Sequence, residues 1–97
     1  MKIILLDNTG MVVFQGGITS IPLGEAIIIE KSIEFFNDHS PCFIHRSAVM
    51  KRLYVELEDF LEDGLKSGQT EWLFYELPSS MQLILSGKSC IHKILYL

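Results

Sequence analysis

Across residues 47–64, Val49, Met50, Leu53, Tyr54, Leu57, Phe60 and Leu61 recur at spacings of three and four, the period that gathers apolar side chains on one face of an α-helix. Gly64 follows the last of them and reads as the left-handed residue that closes such a helix. On both sides of this helix the chain turns β-prone. Residues 2–6 and 11–15 are short runs rich in Ile, Leu and Val. Between them, Asp7-Asn8-Thr9-Gly10 supplies the capping side chains and the positive-φ position of a tight turn, so a β-hairpin is expected. Beyond Gly68, residues 71–77, 81–85 and 90–97 read as strands, with Pro78-Ser79-Ser80 and Ser86-Gly87-Lys88-Ser89 as turns, which predicts a three-stranded meander. The expected fold class is therefore α+β. An antiparallel sheet, made of the N-terminal hairpin and the C-terminal meander, carries one or two central helices on one face.

Residues 25–38 fit two periods. At about 100° per residue, Ala26, Ile28, Ile29, Ile33, Phe35 and Phe36 fall in one half of the wheel. Glu30, Lys31, Glu34, Asn37 and Asp38 fall in the other half, and Ile27 is the misfit. At about 180° per residue, Ile27, Ile29, Ile33 and Phe35 share one face and β-branched Ile favours a strand. The segment is long for a strand, which decides for helix. Asn37-Asp38-His39-Ser40-Pro41 reads as a turn, and Ser40-Pro41 serves equally as an N-cap and first-turn pair for a second helix.

A chain of 97 residues supports one hydrophobic core, so residues 1–97 are read as a single domain. With 48% hydrophobic residues, including 12 Ile and 13 Leu, the chain is not disordered, and two Cys and three Pro exclude a disulfide scaffold or a low-complexity segment. The longest stretch without formal charge, residues 8–24, is interrupted by Asn8, Thr9, Gln15, Gly16, Gly17, Thr19, Ser20 and Pro22 and does not read as a membrane span. The apolar run between Lys2 and Asp7 is too short for the core of a signal peptide. A cytoplasmic protein with reduced thiols is expected.

The net charge of −4 is concentrated in one place. Residues 1–55 are balanced, residues 64–97 carry one excess base, and residues 56–63 hold Glu56, Glu58, Asp59, Glu62 and Asp63 with no base. This order opposes the helix dipole, because Arg46, Lys51 and Arg52 stand near the start of the helix and the acids at its end. Arg52 and Glu56, four residues apart, relieve part of the conflict. The remaining carboxylates read as a surface for a partner with a basic face, where opposite charge would speed encounter and select the partner. The basic residues are too few and too scattered to track a phosphate backbone, so nucleic acid is not expected.

Ligand chemistry has one candidate. Cys42 and His45, with Cys90 and His92, make a complete two-thiolate, two-imidazole zinc shell, and on a strand Cys90 and His92 would share a face. Against zinc, each half is a mixed pair rather than the usual short-spaced Cys pair. No metal is the first expectation, and zinc is the alternative. The same residues are too apolar in context for an activated thiol. Ser86-Gly87-Lys88-Ser89 lacks the glycine spacing of a phosphate loop, and the acidic pairs on the helix have no pocket for general acid–base work. No catalytic residue is assigned.

Short chains cannot hide this much apolar surface. In residues 71–77 one face carries Trp72, Phe74 and Glu76 and the other Leu73, Tyr75 and Leu77, so both are largely hydrophobic, which suggests burial on both sides by a helix or a second subunit. The expected function is therefore that of a small non-enzymatic protein-binding or regulatory homodimer. Its partner surface would comprise Glu56, Glu58, Asp59, Glu62, Asp63, Trp72 and Tyr75.

Overall fold

The computed structural model describes residues 1–39, 46–85 and 90–97. Its elements are strands β1 (Ile3–Asp7) and β2 (Val12–Gly16), helices α1 (Glu25–His39) and α2 (Arg46–Lys66), strand β3 (Glu71–Leu73), helix α3 (Ser79–Leu85) and strand β4 (Ile91–Tyr96). Single 3-10 turns stand at Ile18–Ser20 and Phe74–Glu76. The strands form one antiparallel four-stranded sheet in the order β2-β1-β4-β3, with helices against it, which is the α+β arrangement expected.

The hairpin forms where its turn residues place it. Asp7 Oδ1 accepts hydrogen bonds from the Thr9 backbone at 2.9 Å, the Thr9 hydroxyl at 2.6 Å and the Met11 backbone at 3.0 Å. Those bonds, the Thr9 hydroxyl first, hold the Asp7 carboxyl below its ordinary pKa. Gly10 takes φ +86°, where a side chain would be strained. A register shift between Leu5 and Leu6 marks a bulge opposite β2.

Register divides the sheet into two unlike faces. On one, Phe14, Leu5, Ile94 and Trp72 lie in a row, with Ile3 beside Tyr96 in the next. This face joins Ile27 and Ile28 of α1, Val49, Leu53, Leu57 and Leu61 of α2, and Met81, Ile84 and Leu85 of α3 in one core. On the other face, Gln15, Ile4, Leu95 and Glu71 form a row next to Leu6, Lys93 and Leu73. Lys93 Nζ pairs with Glu71 Oε1 at 2.7 Å across it.

Three expectations are corrected. Residues 71–77 are a strand only as far as Leu73. There the chain enters the Phe74–Glu76 turn, and the Glu76 carboxylate accepts the Leu73 N–H at 3.4 Å. Residues 81–85 are helix rather than strand, so the C-terminal part of the sheet has two strands and not a three-stranded meander. A short apolar run suits either state. Here Met81, Ile84 and Leu85, spaced for one helical face, are all buried, and Gln82 Nε2 donates to the carbonyls of Tyr75 and Leu77 at 3.2 and 2.9 Å. Third, α2 does not stop at Gly64 but runs to Lys66, and it is Gly68, at φ +85°, that takes the left-handed turn. Gly64 has another use: a Cβ there would overlap the indole of Trp72, with Cε2 and Cη2 at 3.2 Å and Cζ2 closer still. The bare helix backbone is the seat of the ring.

Residues 25–39 are helical, as the wheel predicts, but the helix packs through a different face. Ile27, the misfit, is buried with Ile28, whereas Ile29, Ile33 and Phe36 are 63%, 60% and 43% exposed. The Ser40-Pro41 cap and the Ser86-Gly87-Lys88-Ser89 turn lie outside the described residues.

Candidate functional site

The acidic half of α2 is positioned by the helix's own inner face. Leu53, Leu57 and Leu61 are fully or almost fully buried, and this turns Glu58, Asp59, Glu62 and Asp63 to solvent. Glu56 stands apart from these four. Its Oε1 accepts from Arg52 Nε at 3.3 Å, and Arg52 Nη2 also reaches Asp38 of α1 at 3.0 Å while the guanidinium lies 5.6 Å from the centre of the Phe35 ring. Glu56 therefore belongs to the α1–α2 junction. Among the described residues, Glu58, Asp59, Glu62 and Asp63 enter no ion pair.

Beside these carboxylates runs a cleft of about 420 Å³ lined by Thr19, Ser47, Met50, Lys51, Tyr54, Val55 and Glu58. Its floor is apolar, and Val55 is 48% exposed within it. The wall is fixed by Tyr54, whose buried hydroxyl donates to the Ile21 carbonyl at 2.5 Å and so ties the segment after the hairpin to α2. Burial raises the pKa of the Tyr54 phenol. It also raises that of Tyr96, with the negative charges of Glu58 and Glu62 adding to the effect. Tyr96 thus connects the last strand electrostatically to the acidic patch.

These two phenols give a pH prediction with a definite sign. Their native pKa values lie above the unfolded value near 10, so their stabilising contribution is complete below about pH 10 and is lost as pH rises through the native values. Urea titrations should show stability falling in that alkaline window, with a shallower fall in Tyr96→Phe. Tyr54→Phe should flatten the slope as well. Near neutral pH it should also cost about 1–2 kcal/mol, because it leaves a buried carbonyl unpaired.

Two residues assigned to the partner surface from sequence separate in the structure. Tyr75 is 69% exposed. Trp72 is 4% exposed, seated between the Gly64 backbone and the Phe60 ring at a centroid distance of 6.3 Å, and is a core residue rather than a contact for a partner. The cleft was not anticipated. Its only sequence signal was Val55, an apolar residue on the polar side of the α2 period.

Of the zinc candidates, Cys42 and His45 lie outside the described residues. Cys90 is exposed at φ 62°, ahead of β4 rather than on it, and His92 is exposed near the strand's start. Among the described residues no three His, Cys, Asp or Glu side chains converge as a metal site would require, and no helix is long and apolar enough to cross a membrane. The chain matches no protein-family model, and no curated protein or solved structure is significantly similar to it.

Proposed function

We propose that this is a small non-enzymatic, cytoplasmic protein-binding or regulatory protein that works as a homodimer and receives a basic partner on the acidic half of α2. The observation that carries the reading is the set of four exposed carboxylates, Glu58, Asp59, Glu62 and Asp63, which enter no ion pair among the described residues. Like charges gathered toward the negative end of a helix are unfavourable by a few tenths of a kcal/mol each, and a basic partner would reverse that sign. The apolar cleft ending at Glu58 supports the reading, since an interface needs a desolvated anchor as well as a charged rim. Tyr75, exposed in the Phe74–Glu76 turn, is kept as a secondary contact. The reading requires no metal or cofactor.

The test is affinity capture with wild-type protein and with the triple variant Glu58→Lys/Asp59→Lys/Glu62→Lys, each checked for folding. Proteins retained by wild type and lost by the variant should have basic contact surfaces, and their retention should weaken as salt is raised from about 50 to 300 mM. The same set of retained proteins for both baits would contradict the acidic surface.

A further inference from the structure

The cleft beside Tyr54 is bounded by opposite charges. Lys51 and Glu58 both line it, both are exposed, and neither enters an ion pair among the described residues. Seven residues separate them, so they stand on one face of α2, about 10.5 Å apart along its axis. The helix itself has nothing to neutralise either one. Three and four residues from Lys51 stand Ser47, Ala48, Tyr54 and Val55, and at the same spacings from Glu58 stand Tyr54, Val55, Leu61 and Glu62. Between the two charges the cleft is floored by Met50, Tyr54 and Val55.

We infer that the cleft takes one helical segment of the protein partner, carrying an acid and a base seven residues apart on one face with apolar side chains between them. The inference rests on the reading of α2 as a partner surface and adds the chemistry of what docks there. The acid meets Lys51, the base meets Glu58, and the apolar side chains cover the exposed Val55. A segment basic throughout would set a cation against Lys51, and one acidic throughout would set an anion against Glu58, so each is rejected at one end. The walls of the cleft favour a helix over an extended chain. They come from α2 and the Ile18–Ser20 turn, and no strand borders the cleft. An extended segment would find no row of backbone partners there, whereas a helix satisfies its own backbone and presents only side chains. An acid and a base at i and i+7 also repeat the spacing of Lys51 and Glu58, as a helix laid along α2 requires.

The test uses the full chain and two Ala-rich helical peptides of about 18 residues. Both carry Leu at i+3 and i+4. One has Glu at i and Lys at i+7, and the other has Lys at both positions. Binding is followed by the NMR signal of the Met50 methyl as peptide is raised to about 1 mM. Wild type should bind the Glu/Lys peptide about fivefold more tightly than the Lys/Lys peptide, because one contact changes from attraction to repulsion. Lys51→Glu, an exposed change that places an acid where the helix dipole favours it, should reverse that order. Val55→Gln should keep the helix and weaken the Glu/Lys peptide about tenfold by removing the apolar contact. Equal affinity for the two peptides, or an order that Lys51→Glu leaves in place, would overturn the dipolar segment, while the acidic surface would still stand or fall by affinity capture. Saturation by neither peptide would overturn the cleft as the docking site. Concentration-dependent dimerisation of the wild type that Val55→Gln abolishes would assign the cleft to a second copy and overturn the inference as well.

Discussion

Trp72→Ala is expected to be the most damaging single substitution in this chain. The indole is 4% exposed, it faces Ile94 across the β3–β4 ladder, and it fills the space between Phe60 and the α2 backbone at Gly64. Truncating a buried aromatic costs about 3–5 kcal/mol. A domain of this size holds only ~5–15 kcal/mol in all. The melting temperature should therefore fall by more than about 12 °C, at ~4–8 °C per kcal/mol, and a preparation at 37 °C should contain detectably unfolded protein by circular dichroism. A loss of less than 1 kcal/mol would mean that the ring does not hold β3 to α2. Because Trp72 is the single tryptophan, its emission also reports the same packing directly in the wild type. A blue-shifted, quencher-resistant spectrum is expected from a ring so enclosed.

The second large effect reverses a general rule. In the interior of a helix, Gly→Ala stabilises by about 1 kcal/mol through propensity alone, and Gly64 lies inside α2. Here the added methyl would overlap the Trp72 ring. Overpacking of this kind costs about 1–3 kcal/mol and displaces the ring and its strand. Gly64→Ala is thus expected to destabilise, as a lower urea midpoint at unchanged slope. In a Trp72→Leu background, where the overlap is gone, the same substitution should stabilise. The change of sign between backgrounds isolates the contact as a coupling energy. Destabilisation of equal size in both backgrounds would locate the cost elsewhere.

Much of this fold was legible because periodicity and turn chemistry agreed. Asp7, Thr9 and Gly10 specify their hairpin through local hydrogen bonds and one positive φ, and the α2 period from Val49 to Leu61 matches the buried set. What misled the reading was local evidence overruled by tertiary contact. Gly64 looked like a terminator because glycine after an apolar period usually is one. Its actual reason is a ring that arrives from β3, eight residues later in the chain. Residues 81–85 carry no polar alternation, so neither period could be preferred until Met81, Ile84 and Leu85 were seen to share one buried side. In α1 the wheel correctly gave a helix, yet its apolar half was the wrong guide to the core, because an unpartnered face and a packed face look alike in sequence.

The candidate site was legible in charge and not in shape. The acidic run is visible in the sequence, and the helix exposes four of its five carboxylates. The fifth, Glu56, is drawn into the junction with α1 by Arg52, as its four-residue spacing suggested. The cleft beside Tyr54 depends on the bond from its hydroxyl to Ile21, 33 residues away, which no local pattern announces. Trp72 was misassigned for the complementary reason: aromatic residues are enriched both in cores and at interfaces.

Native mass spectrometry of the untagged protein over a range of concentrations is the most direct test of the proposed metal-free, self-associating binding protein. The account predicts a two-chain species without bound metal. A monomer at every concentration, or one zinc per chain, would contradict it and would return attention to Cys42, His45, Cys90 and His92.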